Sequence, residues 1–314
     1  MPAALARLTV FPVVIVAALV AALTNARAEP PPPRVVASIV PVHAIVAAVM
    51  EGVAAPHLLV TGGASPHGYT LRPSDARRLA EADLVFWVSE TMEAFLKKPI
   101  SALGPGSRVV TLLDLDGLTR LPARAGGAWT GDHGAAGSAH GDADTHVWLD
   151  PANAKVIAGA AAAALGAVDP ERRATYAANA RRLAARLDAL DAELAALLAP
   201  VREVPYVVFH DAYRYFERRY RLGAVAAVTV GPGRSPGARR LKEIRAYIGE
   251  TGARCLFSEP QFAPALVRTV AEGTGARVGV LDPLGADLAP GAQAYFTLMR
   301  RLARNLRDCL TADG

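Results

Sequence analysis

Three histidines and one aspartate, His67, His146, His210 and Asp282, stand just beyond β-rich runs or in the loops that leave them. Neutral imidazole nitrogens are good donors for zinc, copper and nickel, whereas manganese and magnesium prefer carboxylate and water oxygens. Three imidazoles with at most one carboxylate therefore describe a tetrahedral zinc site. A lone histidine is more often structural; joint placement at strand ends raises the case, because open α/β sheets bind ligands at the carboxyl ends of their strands. The chain has no HExxH and no CxxC to fix two ligands on one element, so tertiary structure must bring the ligands together. An open fourth position also describes a catalytic zinc hydrolase. Its general base would have to be Glu259, the one nearby carboxylate the sequence suggests. The same Glu259 has two further readings, a hydrogen bond that fixes a ligand histidine's tautomer and a turn residue in a salt bridge. His43, near the start of a helix, and His57, in a strand, are read as structural. Tyr69, Arg72 and Trp148 lie close to the histidines and are read as packing and loop support.

The elements that must position these residues alternate between short β-rich runs and helical stretches, the pattern of parallel sheets covered by helices. Strands are expected at 34–40, 57–60, 83–89 and 108–112 in the first half, and at 206–209, 224–230, 255–258 and 278–281 in the second. Helices are expected at 42–50 and 92–98, and after Pro73-Ser74-Asp75, where Ser74 or Asp75 could cap. In the second half they are expected at 212–219, 236–250, 262–272 and 293–306. Asp150 can cap a helix opening at Pro151. From Asp169 to Leu198 no Gly or Pro follows Pro170, and Leu183, Leu187, Leu190, Leu194 and Leu197 recur every three or four residues. One long amphipathic helix of about 45 Å is predicted, stiff enough to couple two lobes. Between Gly117 and Thr145 the chain is rich in Gly, Ala, Asp and His without apolar periodicity and reads as a mobile loop. The fold class is α/β, in two small lobes, each a mostly parallel sheet flanked by helices, joined by one rigid helix. The expected division is a leader at 1–28, a first lobe at 29–168 carrying the 117–145 loop, a linking helix at 169–199 and a second lobe at 200–314.

The 314 residues are enough for two cores, since single cores stop growing near about 250 to 300 residues. Charged residues make up 20% of the chain, ordinary for a soluble globular protein and unlike a multispan membrane protein. Arg7, the apolar run Leu8 to Leu23 and Ala26-Arg27-Ala28 read as an export signal cleaved near Ala28, which places the mature chain in the periplasm. No cysteine near that site offers a lipid anchor. The formal charge of +5 is small and dispersed, which argues against nucleic acid as a partner. In an oxidising compartment the distant pair Cys255 and Cys309 reads as a structural disulfide. Free buried thiols and zinc thiolates are the competing readings, and the lack of a CxxC weakens the second.

From about residue 35 onward the chain resembles the ZnuA-like periplasmic zinc receptors of ABC transporters. The stretches that carry the resemblance are GASPHGYTLRPSDARRLAEADLVFWV (63–88), HVWLDP (146–151), FHDAYRYFE (209–217), SEPQF (258–262) and LDPLG (281–285). The resemblance implies a non-enzymatic, monomeric solute-binding protein that captures Zn2+ in a cleft between two lobes and delivers it to a membrane permease. It implies that His67, His146 and His210 bind the ion, and that Asp282 matches the acidic position completing the site in some relatives, where water serves in others. It also implies that Cys255 and Cys309 form the disulfide of zinc-binding relatives. In manganese-preferring relatives a glutamate typically replaces the histidine matching His210. Two departures are visible. Pro66 stands where some zinc receptors carry an acid just before the first ligand, and the histidine run of many relatives is reduced here to His133 and His140, with Asp132, Asp142 and Asp144, a possible weak metal-binding loop. The alternatives are a manganese or iron receptor of the same family, an exported zinc hydrolase and a metal-dependent adhesin.

Overall fold

The computed structural model describes residues 30–124, 128–129, 143–229 and 237–312. The expected leader and the loop histidines His133 and His140 lie outside the described residues. One sheet contains β1 (Val35–Ala37), β2 (His57–Leu58), β3 (Leu84–Trp87) and β4 (Arg108–Thr111) in the order β2-β1-β3-β4. The other contains β5 (Tyr206–His210), β6 (Ala224–Thr229), β7 (Cys255–Ser258) and β8 (Arg277–Val280) in the order β6-β5-β7-β8. Every pairing in both sheets is parallel. The two lobes thus share one topology, although no repeat is visible in the sequence. In each, the strand order reverses beside the first strand, at β1/β3 and at β5/β7, and such a reversal opens a crevice at the carboxyl ends.

The inner strands β1, β3, β5 and β7 are buried on both faces, which explains their apolar runs. In β5, Tyr206 and Val208 point into the main core, while Val207 and Phe209 point to a separate cluster with Ile244, Ile248 and Val267. That alternation is the two-residue period of a strand. The flanking helices are α1 (Val40–Val49), α2 (Pro73–Ala80), α3 (Lys97–Ser101), α4 (Pro151–Val168), α5 (Arg173–Leu198), α6 (Arg214–Tyr220), α7 (Ala238–Thr251), α8 (Pro264–Ala271) and α9 (Ala294–Thr311). Asp150 caps α4 by accepting from Ala152 N at 2.8 Å. At α2 the expected cap is displaced: Pro73 occupies the first helical position, Arg72 becomes the cap residue without a side-chain bond, and Ser74 and Asp75 fall inside the first turn. Proline's missing N–H costs nothing there. The expected 92–98 helix divides into a 3-10 turn (Ala94–Leu96) and α3.

The long helix α5 has 26 residues and buries Tyr176, Asn179, Leu183, Leu187, Leu190, Leu194 and Leu198. At about 1.5 Å per residue it spans roughly 39 Å. It packs against α1, α4 and α9, which belong to both halves of the chain. Asn179 is the polar member of the stripe. Its Nδ2 donates to Val49 O and Glu51 O, both at 2.8 Å, and so satisfies carbonyls at the end of α1 that have no helical partner. Asn179→Leu is expected to lower stability by about 1–3 kcal/mol, the cost of leaving buried carbonyls unpaired. Urea unfolding of the metal-free protein measures this, and an unchanged midpoint would contradict it.

The ends of the 117–145 segment are built into the fold rather than loose. Trp129 N donates to Val225 O at 2.8 Å, and Ala128 bridges Ala226. Tyr215 Oη accepts from Leu121 N and donates to Asp144 O. Buried Arg124 pairs with Asp211 and Glu217 and stacks 3.5 Å over Trp129. A charge buried to this degree persists only with such partners. This strap fastens chain from the first half onto α6, the helix that follows His210.

Candidate metal centre

His210 is the last residue of β5, at the β5/β7 reversal. Directly across from it, β7 runs into a turn closed by Phe262 N donating to Glu259 O at 3.1 Å, with Pro260 in the second position, where its fixed φ suits the turn. This turn delivers Glu259, 3% exposed, so that both carboxylate oxygens lie 2.7 Å from His210 Nδ1. A carboxylate only accepts, so Nδ1 carries a proton, and in the neutral ring Nε2 keeps its lone pair.

His146 is held in the same way. Asp144 Oδ1 accepts from His146 Nδ1 at 2.8 Å and from its backbone N at 2.9 Å. Past His146 the chain turns into a 3-10 helix (Val147–Leu149) whose fully buried Trp148 donates Nε1 to Pro283 O, tying the segment to the loop after β8. Asn153 ties it to Thr119 and Val147. His67 rides on the 3-10 turn Pro66–Gly68. Its ring centroid lies 5.8 Å from that of His146 and 6.3 Å from that of His210.

One ligand nitrogen from each of the three rings falls within 4.8 Å of the other two. The Nε2 atoms of His146 and His210 stand 3.4 Å apart. With both rings neutral and their Nδ1 atoms protonated, two lone pairs face each other across that gap. Two nitrogens each 2.0–2.1 Å from a tetrahedral zinc stand about 3.3–3.4 Å apart, so the observed separation suits one ion between them. Burial, then repulsion from His146 and His210, pushes the His67 pKa down to about 3. Burial, then His210, does the same to His146, also to about 3. For His210 burial works in the same direction, but the charge and hydrogen bond of Glu259 outweigh it, and its pKa is raised. Burial raises Asp144 to about 6. At neutral pH two rings are thus held unprotonated, and the third has a carboxylate to fix its tautomer.

Asp282 stands outside this cluster of described residues. Its Oδ1 accepts from Gln261 Nε2 at 2.8 Å and from Leu284 N and Gly285 N at 3.0 Å, and Oδ2 accepts from Ala286 N at 2.6 Å. Four donors surround the carboxylate that the sequence offers as a ligand, and they tie it to the 282–286 loop. His43 Nε2 contacts Pro56 O and His57 Nε2 contacts Asp75 Oδ1, away from the cluster. Tyr69 donates to Leu59 O. Cys255 and Cys309 are joined, and free cysteines are absent among the described residues. The residue that sequence reasoning misplaced is Asp144, grouped there with the loop acids; its spacing two before His146 is the signal that marks it as that ring's holder.

A sequence model of the family described as zinc-uptake complex component A, periplasmic, matches residues 35–309. The chain belongs to the ZnuA family. A ZnuA named as a high-affinity zinc uptake system protein in Brucella suis is 47% identical over 305 residues, covering 88% of this chain and 91% of the relative. The ZnuA of Paracoccus denitrificans is 40% identical over 322 residues, covering 96% and 98%. A crystal structure of a ZnuA deletion mutant with zinc bound superposes with a TM-score of 0.76 at 26% identity, covering 90% of this chain and all of that one. Two parallel four-stranded lobes with one long helix are therefore the ZnuA architecture.

Proposed function

We propose that the protein captures zinc in the periplasm with His67, His146 and His210 and hands it to the membrane permease of an ABC-type importer. The observation that carries this reading is the convergence of three imidazole nitrogens, with the outer nitrogens of His146 and His210 committed to Asp144 and Glu259. Ligand histidines are usually oriented by such partners. The names of the relatives, which describe zinc uptake, support the same cargo. An all-imidazole set favours zinc over manganese, which prefers oxygen donors. A hydrolytic role lacks its base, since both oxygens of Glu259 lie against His210 Nδ1. Water, rather than Asp282, completes the coordination. Competition titration against a zinc chelator should find one tightly held zinc per chain, with manganese displaced by zinc. Stronger retention of manganese than of zinc would count against the proposal.

Acid should release the ion. Only the unprotonated imidazole coordinates, so protons compete with zinc, and occupancy falls as pH drops through the ordinary histidine range near about 6.5. With a competing chelator whose own pH dependence is corrected for, zinc held at pH 7.5 should be lost progressively towards pH 5. Occupancy that does not change across that range would contradict an all-histidine site.

A further inference from the structure

Gln261 sits in the same turn as Glu259, two residues on, and with His67, His146, His210 and Phe262 it lines one small cavity of about 10 Å³. Its amide has two different ends. Nε2 donates to Asp282 Oδ1 at 2.8 Å, while Oε1 is buried and has no hydrogen-bond partner among the described residues. The orientation follows from chemistry: Asp282 can only accept, so the NH2 end must face it and the carbonyl must point the other way. A buried acceptor without a donor is destabilising, and such a group in a binding site calls for a donor supplied by the ligand. A cavity of this size takes about one water. An ion 2.0–2.1 Å from each nitrogen lies closer in than a water could approach, which leaves the lined space to the fourth ligand.

We propose that Gln261 is a positioning residue for the fourth coordination site: Oε1 accepts a hydrogen bond from the zinc-bound water, and Asp282 fixes the end of the amide that faces it. Zinc polarises its bound water and makes it a strong donor, matched to a carbonyl that has none. Asp282 thereby acts on the metal through Gln261 and not as a ligand. Three backbone N–H groups from Leu284, Gly285 and Ala286 hold its carboxylate in place for that role. Asp282→Ala removes the acceptor that holds Gln261 Nε2 and frees the amide to turn over, which points a donor at a site that needs an acceptor.

The inference rests on the zinc reading above, and one experiment separates the two. Zinc competition titrations are run on the wild type, Gln261→Leu, Asp282→Ala and the double variant, with the melting temperature of each metal-free protein as a control for folding. Gln261→Leu should weaken zinc binding roughly 10- to 100-fold, the range for residues that orient a metal site, without lowering the metal-free melting temperature. Asp282→Ala should weaken it as well, and the double variant should be no weaker than Gln261→Leu, because coupled residues are not additive. Cobalt-loaded protein gives a second readout, since azide displaces a bound water but cannot donate to Oε1. Azide should therefore bind several-fold tighter to cobalt-loaded Gln261→Leu than to the wild type. Wild-type zinc affinity in Gln261→Leu, additive losses in the double variant, or unchanged azide binding would each overturn the inference while leaving zinc capture intact. A wild type that binds no zinc would remove the reading beneath it.

Discussion

Replacing any one of His67, His146 and His210 with alanine should reduce zinc affinity well beyond the roughly 10- to 100-fold range of residues that only orient a site. A lost ligand must be replaced by water without the preorganised geometry. The three variants differ in side effects, and the differences make the test sharper. His210→Ala also takes the imidazole from Glu259, a carboxylate 3% exposed, and leaves it the longer bond from the backbone N–H of residue 210 at 3.3 Å, so the metal-free fold should weaken as well. His146→Ala does the same to Asp144, 5% exposed. His67 sits half-buried on a turn, and its removal should leave the metal-free melting temperature unchanged while zinc binding is lost. Glu259→Gln and Asp144→Asn keep a hydrogen-bond acceptor for each ring and should fall within the smaller range. Chelator competition on all five variants orders them. Near-wild-type affinity in His67→Ala with intact folding would break the three-histidine site into a pair. Equal losses in the histidine and carboxylate variants would mean that orientation, not ligation, governs binding.

The parts of this site that can be read from sequence are those whose signal is local. His210 closes an apolar strand, and His67 and His146 lie within short distinctive stretches, so each stands out as a candidate. The stripe of α5 shows through its leucines, and Asp150-Pro151 marks the start of α4. The rest is set by pairings between distant segments. Nothing local distinguishes Asp282 as a loop organiser from Asp282 as a ligand, because its donors include Gln261 and three backbone N–H groups of a loop. Asp144 is hidden in a Gly- and Asp-rich stretch without periodicity, yet the fold buries it against His146. The shared strand order of the two lobes leaves no trace either, since parallel order depends on crossovers and not on any residue pattern. It nonetheless explains the site: the β5/β7 reversal is where His210 and Glu259 meet.

Alanine at both Cys255 and Cys309 should lower the melting temperature of the metal-free protein by roughly 8–16 °C. The bond links residues 54 apart in sequence, and closing a loop of that length restricts the unfolded chain by about 4 kcal/mol. Each kcal/mol moves the midpoint of a chain somewhat smaller than this one by roughly 2–4 °C. Cys255 is fully buried in β7 and Cys309 lies on α9. The bond fixes that helix beside β8, where the Arg277 guanidinium also donates to Cys309 O. The turn bearing Glu259 and Gln261 begins where β7 ends, so loosening this corner reaches the metal site through the strand. Zinc binds the folded state alone and restores part of the loss by mass action, about 2.7 kcal/mol at a free concentration one hundred times its dissociation constant. The variant should therefore keep a zinc-dependent rise in melting temperature close to that of the wild type, from a lower starting point. Calorimetry with and without zinc reads both quantities. An unchanged metal-free midpoint would show that the packing of α9 on the sheet holds this corner without the bond. A lost zinc-dependent rise would show that the bond positions the Glu259 turn, and hence His210, in addition to stabilising the lobe.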